Sequence, residues 1–205
     1  YDYLNAGERT SRENQDEVVD LGTIVKQVCN DMGAFAISRG IVINGPKVSI
    51  EMGVSVNRRD LLRVVSNVIH NAVKYSWSPR GGESGEREVR VRLNEGKNEY
   101  ILRVTNFGVP VPQDELQLVF ESGYRGRLSH DRGRLGSGVG LSDAKSVIEN
   151  FGGRIYLESK SIQGSGSGGR PDALRPNLTT VWIHLPKYEG NHDPTKPQEN
   201  RRTLD

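Results

Sequence analysis

The sequence has little cysteine, no long hydrophobic run and almost no net charge, and each absence excludes a class of protein. Cys29 is the only cysteine among 205 residues, which excludes a disulfide framework and a metal site built from several cysteines. No stretch approaches the roughly 18 to 20 consecutive apolar residues of a transmembrane helix. Lys and Arg number 28 and Asp and Glu number 26, so the net charge of +2 gives no indication of nucleic-acid binding. The length suits one domain of moderate size.

Glycine, by contrast, is abundant, with 24 of 205 residues against roughly 7% in an average protein. The glycines concentrate at residues 136–140 and at residues 163–169, and the second group reads as a flexible insertion. Residues 1–19 are polar and are predicted to be the end of a helix followed by a linker. Residues 20–187 form the predicted domain, and residues 188–205 are predicted to be a disordered polar tail.

Hydrophobic periodicity divides the predicted domain into helices and strands. Asp20 and Asn57 are suitable N-cap residues. The predicted helices cover about residues 20–39, 57–75, 112–120 and 138–151, and the predicted strands cover 41–44, 48–52, 88–93, 100–105, 154–159 and 178–185. This order predicts an α+β fold, a two-layer sandwich with helices on one face of a mixed, mainly antiparallel sheet.

The first glycine group precedes a predicted helix and could bind an anion. Glycines there let backbone N–H groups approach a phosphate, and the helix dipole favours negative charge. The segment contains Gly136, Ser137, Gly138, Val139, Gly140 and Leu141. It matches neither the dinucleotide fingerprint nor the P-loop, so a plain flexible hinge is an equal alternative.

Three polar residues of the second predicted helix form another candidate. Asn67, Asn71 and Lys74 are spaced by four and three residues and therefore share one helix face. An amide oxygen suits Mg²⁺, and a nearby lysine can neutralise phosphates. By themselves these residues are more typical of a solvated polar face. A third candidate, Asn106 to Pro110 after a predicted strand, could present an acceptor to a ring edge or form an ordinary turn.

The order and spacing of these segments resemble the ATP-binding domain of sensor histidine kinases. Asn67 to Ser76 resembles the N box of that family, and Asn106-x-Gly108-x-Pro110 resembles the G1 box. The F box is matched by Phe120, Glu121, Tyr124, Arg125 and Gly126, and the G2 box by Gly136 to Leu141. The resemblance implies the Bergerat fold, which the family shares with gyrase, Hsp90 and MutL.

The resemblance also implies roles for individual residues, with ATP and Mg²⁺ as ligands. Asn71 would coordinate Mg²⁺, Asn67 would support the metal and phosphate end, and Lys74 would contact phosphate. Tyr75, Asn106 and Gly108 would lie near the adenine, and residues 136–141 would hold the triphosphate. Phe120 would anchor a mobile lid of residues 121–136, to which Tyr124 and Arg125 belong. Arg125, Arg132 and Arg134 would give the lid positive charge or form an exposed basic loop.

The G1 box departs from the family pattern D-x-G-x-G at two positions. Asn106 occupies the aspartate position, where it keeps an acceptor oxygen but loses the charge, and Pro110 occupies the second glycine position. A hydrogen bond to a charged group is worth about 1.5 to 3 kcal/mol and a neutral one about 0.5 to 1.5 kcal/mol, so we expect weaker binding by about 1 kcal/mol. Pro110 stiffens the turn and removes a backbone donor.

The resemblance implies transfer of the γ-phosphoryl group of ATP to a histidine, yet none of the four histidines lies in a dimerising helical hairpin. The acceptor is therefore expected on an upstream dimerisation domain of a larger homodimeric kinase, with a response regulator as partner. The fragment itself is expected to be monomeric, binding no nucleic acid. The domain is expected to be cytoplasmic, and membrane anchoring of the parent stays open.

Two alternative functions on the same fold differ in activity from the histidine kinase. The first is a degenerate module that binds nucleotide weakly or not at all and acts as a signalling scaffold, which the changes at Asn106 and Pro110 favour. The second is an ATP hydrolase or an anti-sigma-type serine kinase on the same fold. Hydrolases of the superfamily carry a glutamate at the position of Asn67, so hydrolysis is disfavoured.

Overall fold

A computed structural model of the chain describes residues 16–76, 87–128, 138–161 and 177–189. Among these residues, seven strands and four α-helices follow one another in chain order. The strands are β1 (Glu17–Asp20), β2 (Val42–Asn44), β3 (Gly53–Val56), β4 (Glu88–Glu95), β5 (Glu99–Gly108), β6 (Arg154–Ser161) and β7 (Asn177–Pro186). The helices are α1 (Leu21–Asp31), α2 (Gly33–Ser38), α3 (Arg58–Tyr75) and α4 (Gly140–Asn150).

Five strands form one mixed sheet in the order β2-β4-β5-β7-β6. Strands β2 and β4 are parallel, and the other neighbouring pairs are antiparallel. Alternate residues of the central strands, such as Leu102, Val104 and Ile183, are buried against the helical layer. Helices α3 and α4 pack on that face of the sheet, and α1 packs on α3. The predicted α+β sandwich is confirmed.

Helix α3 is the central helix, and it begins and ends within one residue of the predicted limits. The side chain of Asn57 caps it by accepting hydrogen bonds from the backbone N–H groups of Arg59 and Asp60. One face of the helix is fully buried, and this face consists of Leu61, Val64, Val65, Val68, Ile69, Ala72 and Val73. Asn67, Asn71 and Lys74 lie together along one edge of this buried face.

Two predictions for the amino-terminal part of the domain are wrong. The helix predicted for residues 20–39 is two helices that break at Met32, because Gly33 follows and weakens the helix there. Asp20 caps the first helix and Gly40, with φ +68°, ends the second, as predicted. Glu17–Val19, predicted to be linker, belong to strand β1.

The prediction of a strand at residues 48–52 is wrong. The strand in this part of the chain is Gly53–Val56. Strand β1 pairs with it from Glu17 opposite Val56 to Asp20 opposite Gly53. The Asp20 carboxylate accepts a hydrogen bond from the Met52 backbone N–H at 2.8 Å, and this contact fixes where the pairing ends. The register is therefore set by a partner strand of four residues that sequence analysis did not detect.

The remaining predictions are mostly confirmed. Strands β4 and β5 form the predicted hairpin, and β6 and β7 pair as long antiparallel strands. The helix predicted for residues 112–120 is instead two short 3₁₀ turns, Gln113–Glu115 and Leu118–Phe120. The predicted tail from 190 onward and the insertion at 163–169 lie outside the described residues. Burial raises the pKa of the Cys29 thiol to about 11, in agreement with a structural role.

Candidate functional site

A cavity of about 290 Å³ opens between α3, the end of β5 and the start of α4. Asn67, Asn71 and Lys74 line it from the helix, and Asn106 and Pro110 line it from the end of β5. Gly138, Gly140 and Leu141 line it from the start of α4. The three separate candidates of the sequence analysis therefore meet at one cavity, although Lys74 and Asn106 are 32 positions apart in the chain and Pro110 and Gly138 are 28 positions apart.

Helix α3 contributes its polar face to the cavity. Asn67 donates a hydrogen bond through Nδ2 to the backbone carbonyl of Gly140 at 3.3 Å, and this contact joins α3 to the start of α4. The Lys74 ammonium lies 5.0 Å from the centroid of the Tyr75 ring, and the residue is only 9% exposed. A lysine held against an aromatic ring at a cavity wall is placed to receive an anion.

Two amide side chains at the cavity have no hydrogen-bond partner within the described part of the chain. No hydrogen bond from a described residue reaches the side chain of Asn71 or that of Asn106, although Asn106 is only 6% exposed. Both amides line the cavity, so a ligand bound there could form hydrogen bonds with them. The amide oxygen of Asn71 is also suited to a hard cation such as Mg²⁺.

The turn after β5 approaches the end of α3 closely. Val109 donates a backbone hydrogen bond to the carbonyl of Tyr75 at 3.2 Å, and Ser76 forms an isolated bridge with Gly108. A Cβ atom at Gly108 would lie 2.2 Å from the Tyr75 carbonyl oxygen, which only glycine avoids. Gly108 itself does not line the cavity, so its role in the structure is to admit the backbone of α3.

The cavity floor comes from the sheet and was not predicted from sequence. Leu157 of β6 and Thr179 and Val181 of β7 form part of it, and Val68 and Ala72 cover it from α3. The alternation of residues in β6 and β7 indicates which face of the sheet Leu157, Thr179 and Val181 occupy. Only the strand order shows that these strands lie beside β5, which carries Asn106. Thr179 is directly opposite Asn106 in the antiparallel register.

A short segment closes one side of the cavity through Tyr124, Arg125, Gly126 and Leu128. Its anchor is Glu115, a buried carboxylate that sequence analysis did not single out, because a glutamate in a polar segment is normally exposed. Glu115 accepts two hydrogen bonds from Arg127, one from the side-chain Nε at 2.5 Å and one from the Arg127 backbone N–H at 3.1 Å. Desolvation and a hydrogen bond to Glu115 raise the pKa of Tyr124.

The other predicted site residues differ in position. Phe120 is 5% exposed in the hydrophobic core, and Val139 is 45% exposed; neither lines the cavity. Gly136, Ser137, Arg132 and Arg134 lie outside the described residues, as does the second half of the predicted lid, residues 129–136. His70 is exposed at the rim, where its ring stacks on Phe35 at 4.9 Å. Desolvation and the positive charges of Lys74 and Arg39 lower the pKa of His70.

The cavity suits a nucleotide with a divalent cation. Its lining combines two cationic side chains, Lys74 and Arg125, with the glycine-rich start of α4, apolar walls and the buried amide of Asn106. Within the described ranges no group of three or more His, Cys, Asp or Glu side chains could hold a metal ion. Mg²⁺ usually takes most of its ligands from phosphate and water, so a single protein amide such as that of Asn71 could hold it beside a bound phosphate.

Comparison with known proteins gives one consistent result. Residues 56–189 match the family described as histidine kinase-, DNA gyrase B- and HSP90-like ATPases. The aerobic respiration control sensor protein ArcB of Escherichia coli K12 is 30% identical over 181 residues, covering 87% of this chain and 21% of ArcB. The sensor protein kinase WalK of Staphylococcus saprophyticus is 27% identical over 183 residues, covering 89% of this chain and 27% of WalK.

A solved structure of similar fold is that of the mycobacterial sensor histidine kinase MprB, with a TM-score of 0.62 and 27% identity. The match covers 84% of this chain and 97% of that one. This chain spans only about a fifth to a quarter of the length of the curated relatives ArcB and WalK. No helix in the described part of the chain is long and apolar enough to cross a membrane.

Proposed function

The chain belongs to the family of histidine kinase-, DNA gyrase B- and HSP90-like ATPases, and we propose that it is the catalytic domain of a sensor histidine kinase that binds ATP with Mg²⁺. The observation that supports this most strongly is the meeting of Asn71, Lys74, Asn106 and Gly140 at one cavity. Each belongs to a segment that resembles a nucleotide-binding box of the family.

In the proposed complex, each end of the cavity binds a different part of ATP. The base lies between the apolar residues of α3 and the floor formed by β6 and β7, with its edge at Asn106. Lys74 and the backbone N–H groups at the start of α4 neutralise the phosphates. Mg²⁺ would neutralise phosphate charge when bound, and Asn71 is its proposed protein ligand.

The proposed reaction is in-line transfer of the γ-phosphoryl group to a histidine of the parent protein. Phosphoryl transfer requires mainly positioning and charge neutralisation from the protein. Asn67 supports the phosphate end by joining α3 to the start of α4. An amide at this position does not activate water as a carboxylate would, so transfer is favoured over hydrolysis.

The proposed parent protein is longer than this chain and homodimeric. Residues before strand β1 would connect to a dimerisation domain that carries the acceptor histidine, and a response regulator would receive the phosphoryl group. The histidine kinase relatives, of which the chain spans only a part, support this arrangement. The domain is proposed to act in the cytoplasm as a monomeric unit of that dimer.

The proposal is tested by calorimetric titration with adenosine 5′-(β,γ-imido)triphosphate, with and without Mg²⁺. We expect saturable binding that Mg²⁺ strengthens and that Asn71→Ala weakens at least tenfold, equivalent to about 1.4 kcal/mol. The matched control is Asn94→Ala, which removes an exposed amide from strand β4, far from the cavity. Absence of binding at millimolar nucleotide would reject the proposal and favour the degenerate scaffold.

A further inference from the structure

The side chain of Asn106 is a buried amide whose two polar atoms are both available to a ligand. It is 6% exposed, lies on the cavity wall and has no hydrogen bond to a described residue. Its register partner Thr179 does not fix it, since the Thr179 hydroxyl lies 3.4 Å from that of Ser159 instead. Ser159 in turn accepts hydrogen bonds from Val111 and Asn177. No described neighbour therefore selects which end of the amide faces the cavity.

An amide differs from a carboxylate in being both a donor and an acceptor. A carboxylate only accepts, so it can satisfy an amino group on a base and is repelled by a carbonyl at the same place. The oxygen and nitrogen of an amide exchange positions by rotation about the last side-chain bond, with almost no change in shape. One asparagine can therefore form hydrogen bonds with either kind of base edge.

The two common purine edges differ in this way. The 6-aminopurine adenine offers a donor at position 6 and an acceptor at N1, and hypoxanthine, its 6-oxo analogue, offers an acceptor at position 6 and a donor at N1. The amide oxygen and nitrogen of Asn106 would pair with the adenine edge in one orientation. After rotation they would pair with the hypoxanthine edge, with the ring held in the same place by the apolar walls.

We infer that Asn106 makes the cavity accept 6-oxopurine nucleoside triphosphates as well as ATP. The inference rests on the proposed function, since it requires that the cavity binds a purine nucleotide with its edge at Asn106. Asn106 is thus a specificity-determining residue, and discrimination at position 6 of the ring is relaxed because neither base leaves a buried polar group unpaired.

The test is calorimetric titration with the β,γ-imido analogues of ATP and of inosine triphosphate, each with Mg²⁺. Inosine differs from adenosine only at position 6 and in the N1 proton, so the two ligands match in shape. We expect the two dissociation constants of the unaltered chain to agree within about fivefold, less than the contribution of one good hydrogen bond. In Asn106→Asp, which has the same shape, we expect the adenosine analogue to bind at least about tenfold more tightly than the inosine analogue.

Two controls separate specificity from damage to the fold. Asn106→Leu should weaken both ligands to a similar extent, because it removes both hydrogen bonds and keeps the volume. Asn94→Asp adds the same charge at an exposed position and should leave the ratio of the two constants unchanged. Thermal unfolding of each variant shows whether it is folded.

The outcomes distinguish the inference from the proposed function. If the unaltered chain prefers the adenosine analogue by more than about tenfold, the inference is wrong and the proposed function stands. If Asn106→Asp discriminates no better than the unaltered chain, Asn106 does not set specificity and the inference also fails. If neither analogue binds, the proposed function fails and the inference fails with it.

Discussion

The amide nitrogen of Asn67 lies 3.3 Å from the backbone carbonyl oxygen of Gly140, and this hydrogen bond fixes the middle of α3 against the first residue of α4. A Cβ atom at Gly140 would lie 3.6 Å from Cγ of Asn67, so the two segments are in van der Waals contact as well. The polar face of one helix and the glycine-rich start of another are thereby combined into one wall of the cavity.

Replacing Asn67 by aspartate should weaken binding of Mg·ATP. The carboxylate cannot donate to the Gly140 carbonyl, and its negative charge would face that oxygen and the phosphates. Loss of a hydrogen bond worth about 1 kcal/mol corresponds to about fivefold in affinity, and charge repulsion adds to this. Calorimetric titration measures the effect, with Asn94→Asp as the charge-matched control; equal affinities in the two variants would show that Asn67 is not at the phosphates.

Gly138 has φ +74°, and a Cβ atom there would lie 2.8 Å from the Tyr124 carbonyl oxygen and from the Gly123 carbonyl carbon. Gly138→Ala should therefore displace the segment that closes the cavity and lower nucleotide affinity. Gly152 has φ +70°, but a Cβ there meets only the Pro186 side chain at 4.0 Å. Both alanine variants should lose about 1 kcal/mol of stability from left-handed strain.

The two glycine variants should differ in binding. We expect Gly138→Ala to bind Mg·ATP about fivefold or more weakly, which corresponds to about 1 kcal/mol, and Gly152→Ala to bind it normally. Urea denaturation measures the common loss of stability, and titration measures the difference. A similar loss of affinity in both variants would indicate a general effect of instability.

Arg127→Ala should destabilise the domain more than the loss of an ordinary surface ion pair. It leaves the carboxylate of Glu115, which is 1% exposed, without its cationic partner. Because Arg127 is itself 66% exposed, the full cost of breaking a buried pair is reduced by solvent screening, and we expect about 1 to 2 kcal/mol. The measurement is the free energy of unfolding in urea.

Arg63→Ala is the comparison for that variant. Arg63 pairs with Asp60 on the surface of α3 and with Asp143 of α4, and all three side chains are at least 28% exposed. Pairs of this kind contribute about 0 to 0.5 kcal/mol. Equal losses in Arg127→Ala and Arg63→Ala would contradict the anchoring role of Glu115.

Asp20 should contribute stability that depends on pH. Burial raises the pKa of its carboxyl, but hydrogen bonds from the Thr23 side chain and from the backbone of Met52, Thr23 and Gly22 lower the pKa by more. The net pKa of Asp20 is therefore below the ordinary value for an aspartate. A group with a depressed folded-state pKa stabilises above its unfolded pKa of about 3.9, and the contribution is lost as pH falls through the folded value.

The Asp20→Asn variant tests that contribution. Asparagine keeps the cap but not the charge, so it should be less stable than the unaltered domain at pH 7, and the difference should shrink as the pH falls below about 4. Urea denaturation at pH 7, 5, 4 and 3 measures it. A difference that grows on acidification would have the wrong sign for a depressed pKa.

Much of the fold could be predicted from sequence where a segment carries its own signals. Helix α3 has a cap, a continuous apolar face and a clear end, and the hairpin of β4 and β5 alternates on both sides of a short turn. Strands β1 and β3 could not be predicted, because four residues are too few to establish a period and each strand pairs with residues 33 to 39 positions away in the chain.

The site was predictable in part for the same reason. Asn67, Asn71, Lys74 and Asn106 lie in segments whose order resembles a known family, so their meeting at one cavity was expected. Thr179 and Leu157 lie in strands with no distinctive motif, and Glu115 lies in a polar turn. Their place at the cavity depends on strand order and on tertiary contacts, which local sequence does not record.

The central claim is that the cavity between α3, β5 and α4 binds Mg·ATP, and hydrogen exchange measured by mass spectrometry tests it most directly. With adenosine 5′-(β,γ-imido)triphosphate and Mg²⁺ present, we expect slower exchange in residues 67–76, 106–111 and 138–141 and unchanged exchange in strands β1 and β3. Unchanged exchange in all three segments at saturating nucleotide, or protection confined to the two-stranded sheet, would contradict the claim.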